Sequence, residues 1–471
     1  MSGNVATTSG ELRAHNRVRL LRAVHDCGAS WTRSRLTREL ALARGTASVL
    51  VGGLAEDGLL HEGPAPEPAR GRPTLVPGPH PRGPIVLAAD VREDAWELAA
   101  CELGGRMTVL AVRAHDGSPE GAFRPLGAAM REHQARYGAR VVGAGVAVPG
   151  PVREGGLADV ARLRWRSVDV PALLDLANTG ASPATALTDT SAGPAAALLG
   201  PTDTGASPAT PVRTHAACGA PGGGGVFLRV GNDTAFAGLA EARRGLLRGV
   251  HVGLHLHVDF DLGGVLIVGG QPLGGAGGMG AEFGHMPLTG GGAPCACGAS
   301  GCWGPEVGSD ALLRHAGLPR AGGREQAERL LARAAVKAAN AARTRTDGLP
   351  AHRTGERPHD RPGDQASAQA AAVAATAAVA RVLGRGVAAL VNAHDPEVVT
   401  LSGLGADLYD QASAVLMEAC VSGMMTIRRE RPPRVIPSAL RRRGSLLGAM
   451  ESAFDAFLTP EGLATWPSIR K

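Results

Sequence analysis

"GAEFGHMPLTGGGAPCACGASGCWGPEVG", residues 280–308, holds three of the chain's seven cysteines within eight residues, and His285 stands ten positions before the first of them. Cys295-x-Cys297-x4-Cys302 together with His285 offers four soft or borderline ligands, the number a closed tetrahedral zinc site needs. Gly291, Gly292, Gly298 and Gly301 let so short a loop fold tightly enough to point three sulfurs at one ion. No C-x-x-C pair is present, so dithiol redox chemistry fits poorly. A glycine-rich loop with incidental thiols is the rival reading, and the clustering speaks against it in a chain this poor in cysteine.

Around that loop lie 471 residues, enough for two or three domains. Hydrophobic residues make up 44% and charged residues 20%, which allows a packed core and excludes global disorder. Aromatics are only 3%, so the core must be built mainly from Leu, Val and Ala. Net charge is +6, and residues 1–82 hold eleven arginines against seven acids. A mildly basic N-terminal segment permits a polyanionic partner. "MSGNVATTSGELRAHN" has no apolar signal stretch. The longest apolar run, "AAAVAATAAVA" (370–380), is short, alanine-dominated and ends at Arg381, so no membrane span is expected. Cys27, Cys101, Cys218 and Cys420 lie far apart and read as isolated buried thiols. An odd cysteine count argues against a secreted disulfide framework, and the cytoplasm is the expected compartment.

"ELRAHNRVRLLRAVHDCG" (11–28) spaces Leu12, Val18, Leu21 and Val24 for a helix, with Gly28 as its stop. Ser30 or Thr32 can cap a short helix over 33–40. "ALARG" makes a turn, and Thr46 to Leu54 opens another helix with Val49, Leu50 and Leu54 on its apolar side. "GLLHEG" and "RPTLVP" then read as two strands around a Pro-rich tip. That order is the order of a winged helix-turn-helix, placed at 1–76 with a linker at 77–84. Arg44, Thr46, Ala47 and Ser48 would open the recognition helix, where Arg44 can pair with guanine. Arg33, Arg35 and Arg38 on the preceding helix suit phosphates, and Arg70 and Arg72 sit in the wing. For any single arginine, solvation of an exposed helix is an equal reading.

From residue 85 onward the texture becomes α/β. "IVLAADVREDAWELAACELGGRMTVLAVRA" reads as a meander turning at Gly104-Gly105, and "RVVGAGVAVPGPV" (140–152) as an apolar strand. "PATALTDTSAGPAAALLG" (183–200) reads as a strand entering a helix. Strands and helices alternate to the C-terminus, interrupted by polar insertions at about 201–225 and 345–369.

"GAEFGHM" leading into "CACGASGCW" is similar to the signature of the ROK family, named for repressors, open reading frames and kinases. "VVGAGVAVPGPV", "LTDTSAGPAAALLG", "GGVLIVGGQPLGGAGG" and "DPEVVTLSGLG" resemble further family segments in order, and the N-terminal module resembles that of the repressor branch. The resemblance implies a two-lobed, actin-like and ribonuclease-H-like body at 85–471, with a sugar cleft between the lobes. It implies zinc on His285, Cys295, Cys297 and Cys302, with Asp189, Glu282 and His285 contacting sugar. An imidazole can ligate through one nitrogen and donate through the other. Asp189 would match the general base of the family's kinases.

The departures weigh against phosphoryl transfer. Where the kinases carry a D-x-GG-T-type phosphate loop, this chain reads "ADVREDAWE" (89–97), with Glu93 and Asp94 where phosphates would sit. The second loop reads "VDFDLGG" (258–264), adding Asp259 and Asp261. Thr188 stands where an asparagine is expected, and Gly304 where a sugar-gripping glutamate is expected, with Glu306 nearby. The expected protein is therefore a non-enzymatic, dimeric regulator, a homodimer or dimer of dimers. It binds double-stranded operator DNA and responds to a carbohydrate or sugar phosphate, with no membrane partner. A sugar kinase using Asp189, or a DNA-binding protein with a ligand-blind body, are the alternatives.

Overall fold

A computed structural model describes residues 9–64, 75–176, 226–320, 323–347 and 362–466. Its first element, α1 (Ser9–Asp26), stops at Gly28, whose φ of +64° lies in the left-handed region. Thr32 caps α2 (Arg33–Glu39) by accepting from the Arg35 backbone N–H. The next helix, α3 (Arg44–Glu56), opens two residues before Thr46 and has no side-chain cap at Ala43. Its buried positions are Ala47, Leu50, Val51 and Leu54, an i, i+3, i+4, i+7 stripe. Val49, expected on that stripe, is instead 61% exposed. β1 (Leu60–Pro64) and β2 (Leu75–Pro79) pair antiparallel as the wing, so β2 takes up the first part of the expected linker. The tip between them, with Arg70 and Arg72, lies outside the described residues.

The first lobe opens with a meander of β3 (Ile85–Val91), β4 (Ala95–Glu102) and β5 (Met107–Ala114). Gly104 and Gly105, at φ +84° and +87°, make the turn into β5. α4 (Pro119–Tyr137) crosses to β6 (Val141–Val148), which lies parallel to β3. β7 (Val152–Arg153), β8 (Leu157–Val160) and β9 (Trp165–Asp169) form a small side sheet that leads into α5 (Val170–Leu174). β10 (Phe227–Asn232) then adds parallel to β6, giving the order β10-β6-β3-β4-β5.

Helix α6 (Asp233–Arg244) leaves this sheet for the second lobe. That lobe comprises β11 (Val252–Val258), β12 (Leu262–Val268), β13 (Gln271–Pro272), α7 (Ser309–His315), α8 (Gly323–Asp347) and α9 (Pro362–His394). It continues through β14 (Val398–Gly403), α10 (Leu404–Gly423), α11 (Thr426–Glu430) and β15 (Arg434–Pro437). Its sheet order, β13-β12-β11-β14-β15, repeats the first: an antiparallel meander, then two parallel strands added beside its first strand. This duplication is the two-lobed arrangement expected of an actin-like body. α12 (Gly444–Phe457) returns to the first lobe, followed by α13 (Pro460–Ala464). A methyl on Gly448 would fall onto the Phe236 carbonyl, so that glycine lets α12 lie directly on α6.

The segment 183–200 and the first insertion fall outside the described residues. Helices α8 and α9 absorb both ends of the second insertion, leaving 348–361 outside the description. Cys101 and Cys420 are buried as expected, Cys27 is half-buried, and Cys218 is not described. Residues Gln365–His394 of α9 have the length and hydropathy of a bilayer span, but 56% of the most apolar window is buried inside the protein. There Val379, Leu383 and Val387 share a core cluster with Leu416 and Cys420 of α10.

The N-terminal module is not hung from a free linker. Leu20, Leu21 and Val24 of α1 share one hydrophobic cluster with Phe454 and Phe457 of α12 and with Trp466. Trp466 donates its indole N–H to the Asp57 carbonyl at 2.9 Å, and Arg22 pairs with Asp455 at 2.7 Å.

Candidate functional site

The 280–308 loop brings its four candidate ligand atoms together. His285 ends a single 3-10 turn (Phe283–His285) and holds Nδ1 3.6 Å from the Cys295 sulfur, while the Cys297 and Cys302 sulfurs are 3.7 Å apart. All four ligand atoms lie within 4.8 Å of one another. Bonds of about 2.3 Å to sulfur and about 2.1 Å to nitrogen give tetrahedral edges of roughly 3.8 and 3.6 Å, so the spacing fits one tetrahedral ion. Gly298 (φ +96°) turns the chain between the second and third cysteines, and its N–H donates to the Cys295 carbonyl at 3.0 Å. Trp303, fully buried, anchors the loop's exit: its indole donates to the Val382 carbonyl, and its ring covers Gly386 of α9. Nδ1 faces the sulfurs, so Nε2 of His285 remains for a second contact on the cleft side.

The cleft runs between the lobes as a cavity of about 1090 Å³, with Asp90, Glu93 and Asp233 on one wall and Asp259, Glu282 and His285 on the other. Strand β10 ends at Asn232, whose side chain caps α6 by accepting from Ala235 N, and this cap places Asp233 at the helix start inside the cleft. Asp259 pairs with Arg324 through one oxygen at 2.9 Å, while its other oxygen is buried without a hydrogen-bond partner. Arg92 lies 3.9 Å from Asp90, 3.8 Å from Asp94 and 3.7 Å from Glu97, so the arginine of the first loop is already surrounded by carboxylates.

So many acids in one partly desolvated cleft hold their protons unusually well. Burial, then Asp90, pushes Asp233 up to about 7; burial, then Asp261, pushes Glu282 up to about 7. Burial, then Asp259, takes Glu93 to about 8, and burial, opposed by Arg92, leaves Asp90 at about 6. Each value is raised above the unfolded one, so between pH 5 and 8 these four carboxyls hold more protons in the folded chain than in the unfolded one. Their contribution to stability therefore falls as pH rises through that window. In thermal melts of the ligand-free protein over that range, Asp233→Asn is expected to flatten the decline. An unchanged slope would contradict the raised Asp233.

Several expectations move. Asp189 lies outside the described residues, as does Thr188. The Asp-Thr pair the structure brings into the cleft is Asp233-Thr234, and an asparagine does precede it, at 232. The apolar strand ending in an Asn cap before a helix was the available signal. Glu306, beside Gly304, is held by Arg314 at 2.5 Å.

On the N-terminal module, Arg44, Thr46 and Ser48 are exposed at the start of α3. Ala47 is 2% exposed and belongs to the core, because it opens the buried stripe, so its side chain does not join them. Arg33 forks onto Glu62 of β1, with Nε at 2.9 Å, which ties α2 to the wing and takes that guanidinium away from an outer phosphate face. Arg35 stays exposed, stacked 4.3 Å over Trp31. Arg38, also exposed, reaches Glu39 at 3.6 Å.

Known proteins resemble this arrangement. A glucokinase of Streptomyces coelicolor is 34% identical over 108 residues, which is 23% of this chain and 34% of that protein; the chain thus spans about a third of the length of such relatives. A ROK family transcriptional regulator, homolog of the E. coli MLC protein, superposes at a TM-score of 0.59 with 18% identity, covering 96% of this chain and 98% of that one. A ROK family glucokinase from Streptomyces griseus, in complex with glucose and AMPPNP, superposes at 0.54 with 20% identity, covering 79% and 99%. At these identities the superpositions establish the fold. The ROK family model itself matches residues 225–455, a stretch that starts just before the Asn232-Asp233 turn and runs through the whole metal loop to the return of α12. On that match residues 225–455 are a ROK family domain.

Proposed function

We propose that this chain is a DNA-binding transcriptional repressor that holds one structural zinc ion in its Cys3His loop and takes a carbohydrate or sugar phosphate in the interlobe cleft. The observation that carries the reading is the winged helix-turn-helix docked on the body, with Arg44, Thr46 and Ser48 outward. A likeness covering 96% of the chain must take in that module, whereas one covering 79% need not. In this role Arg44 pairs with a base edge, while Arg35 and Arg38 meet phosphates. The protein acts as a two-fold dimer on paired half-sites. His285, Cys295, Cys297 and Cys302 would hold the zinc, which would supply no chemistry beyond fixing the cleft wall, and His285 held through Nδ1 would keep Nε2 for a ligand hydroxyl.

Helix α6 offers the route from ligand to DNA. Its first residue, Asp233, lines the cleft; about 17 Å along the helix, Arg243 and Arg244 reach the ion pairs that hold α1. A ligand that favours one lobe setting over the other would shift the head through this rod, provided its affinity differs between the two settings.

Sugar phosphorylation is the second reading, favoured by Asp233, a carboxyl raised toward neutrality at the end of a strand and placed in the cleft as a general base would be. Asp94 and Asp259 oppose it with negative charge, and Glu93 and Asp261 with side-chain bulk, where nucleotide phosphates would have to lie. Purified protein given ATP with a panel of hexoses and N-acetylhexosamines is expected to show no turnover; turnover would overturn the regulator reading. In a gel shift on the protein's own promoter region, Arg44→Ala is expected to weaken specific binding about tenfold or more, a bidentate guanine contact being worth roughly 1–3 kcal/mol. Unchanged specific binding would remove Arg44 from the recognition role.

A further inference from the structure

The strands "LHLHV" (254–258) and "VTLSG" (399–403) carry a polar seam that neither the metal loop nor the carboxylate walls explain. In the parallel register of β11 on β14, His255 pairs with Thr400 and His257 with Ser402. By alternation they lie on the opposite side of β11 from Leu254, Leu256 and Val258, which belong to the second-lobe core. His255, Thr400 and Ser402 are fully buried. His255 Nδ1 lies 2.8 Å from Thr400 Oγ1, and its Nε2 lies 3.0 Å from Ser402 Oγ. Ser402 Oγ in turn lies 2.8 Å from His257 Nδ1. One unbroken chain of hydrogen bonds therefore runs from Thr400 through His255 and Ser402 to His257. Its inner end closes on the Leu254 carbonyl, 3.4 Å from Thr400 Oγ1. Burial pushes His255 down to about 3 and lowers His257, so both rings are neutral near neutrality.

A buried polar chain brings no stability that apolar side chains would not, and it is costly wherever it is incomplete. This one is complete except at its outer end. His257 is the member that lines the cleft, and with Nδ1 on Ser402 its Nε2 has no hydrogen-bond partner among the described residues. The charged groups around the ring are engaged elsewhere: Asp259 with Arg324, and Arg442 with Asp407 and Glu328. Gly403, at φ +60°, leaves room for the imidazole, because a Cβ there would fall on the Val258 carbonyl and lie 2.9 Å from His257 Cε1.

We propose that His257 is a ligand-contacting residue of the interlobe cleft, its Nε2 meeting a hydroxyl, and that Ser402, His255 and Thr400 are positioning residues that hold its ring. The inference rests on the carbohydrate reading of the cleft. A neutral imidazole has one donor and one acceptor nitrogen. If His257 Nδ1 donates to Ser402, Nε2 accepts; if Ser402 donates to Nδ1, Nε2 donates. A hydroxyl answers either direction of the chain, whereas a phosphate or carboxylate oxygen answers only one. The chemistry that fits His257 is thus the neutral polyol part of a ligand.

Calorimetric titration of the zinc-loaded full chain with glucose, N-acetylglucosamine and cellobiose tests this. His257→Asn keeps an amide near the Nδ1 position for Ser402 and has no atom at Nε2. It is expected to melt with the wild type and to bind the sugar about fivefold or more weakly, the worth of one hydrogen bond. Histidine-nitrogen NMR needs no variant: saturating sugar is expected to move the His257 Nε2 resonance of the wild type. In Ser402→Ala the His257 ring resonances are expected to shift before any sugar is added, and affinity to fall. Affinity within twofold of wild type in His257→Asn would overturn the contact, as would a His257 Nε2 resonance that saturating sugar leaves in place. Unchanged His257 resonances in Ser402→Ala would overturn the positioning role. A folded wild type that binds none of the three sugars would overturn the carbohydrate reading itself, and this proposal with it.

Discussion

Replacing Glu451 with alanine is expected to cost about 3–5 kcal/mol of stability, because it strands buried cations where the N-terminal module meets the body. Glu451 is fully buried on α12, and its carboxylate takes Nε of Arg244, Nη1 of Arg243 at 3.4 Å and Nε2 of His25 at 3.2 Å. Arg244 continues to His25 Nε2 at 2.9 Å and to the Gly104 carbonyl at 3.2 Å, while Gly104 N–H donates to His25 Nδ1 at 3.1 Å. Arg243 keeps Asp455 at 2.7 Å after the substitution, but Arg244 is left with no carboxylate at all. The His25 hydrogen bond, then Arg244 and Arg243, hold the Glu451 carboxyl far below its usual range despite burial. A depressed folded value contributes stability that is fully present above the unfolded carboxylate range, near pH 4.3, and is lost as pH falls below it. Near neutrality the Glu451 contribution is therefore present in full. Urea midpoints should drop in Glu451→Ala, and exchange of the α1 amides should quicken more than exchange in α9. Removing both charges, as Glu451→Met with Arg244→Met, should recover most of the loss. A single variant with a wild-type midpoint would remove this cluster from the docking of the head.

The same junction changes how a signal could travel. A head on a flexible tether would be insensitive to lobe setting, but α1 here is packed on α12 and bonded to the end of α6. Those two helices cross where Gly448 meets Phe236. The shared core makes the head, the first lobe and this helix pair a continuous solid, and close packing of that kind passes small displacements on rather than absorbing them.

The parts of this protein carried by local chemistry were legible in its sequence. The four candidate metal ligands lie within eighteen consecutive residues, 285–302, so spacing alone was enough to pick out the cluster. Thr32 and Gly28 punctuate the first helices as caps and stops should. What escaped depends on contacts distant in the chain. Asp189, matched in "TDTSAG" to the family's general base, lies outside the described residues, while Asp233, not singled out from sequence, lines the cleft. The segment from 177 to 225 separates α5 from β10, and with it the place where Asn232-Asp233 ought to be looked for. Val49 and Val51 are equally apolar, and only packing against α1 and the wing decides which turns inward. Arg33 was indistinguishable from Arg35 until Glu62, 29 residues away, was seen to hold it.

Exchanging Cys297 for serine should empty the metal loop, and its consequences should reach the cleft. Serine oxygen is a poor zinc ligand beside thiolate, and three remaining ligands close the tetrahedron badly. Zinc per chain is expected to fall from one to a small fraction. Metal binding in isolated zinc modules is worth roughly 10–16 kcal/mol because nothing else holds them folded. Here Trp303 already pins the loop's exit to α9, and the Cys295–Ala299 backbone hydrogen bond, at 2.8 Å, closes part of the turn without metal. A drop on the order of several kcal/mol, confined at first to residues 285–302, is the corresponding expectation. His285 would then lose the bond that fixes its ring, so any cleft ligand that bridges it to Glu282 should bind more weakly in the same variant. Elemental analysis, melting with and without chelator, and a Cys420→Ser control test the chain of cause. Cys420 lies in the α9–α10 core away from the loop and should leave zinc content alone. One zinc per chain and an unshifted melt in Cys297→Ser would show that the four atoms, though spaced for a tetrahedron, do not act as one site.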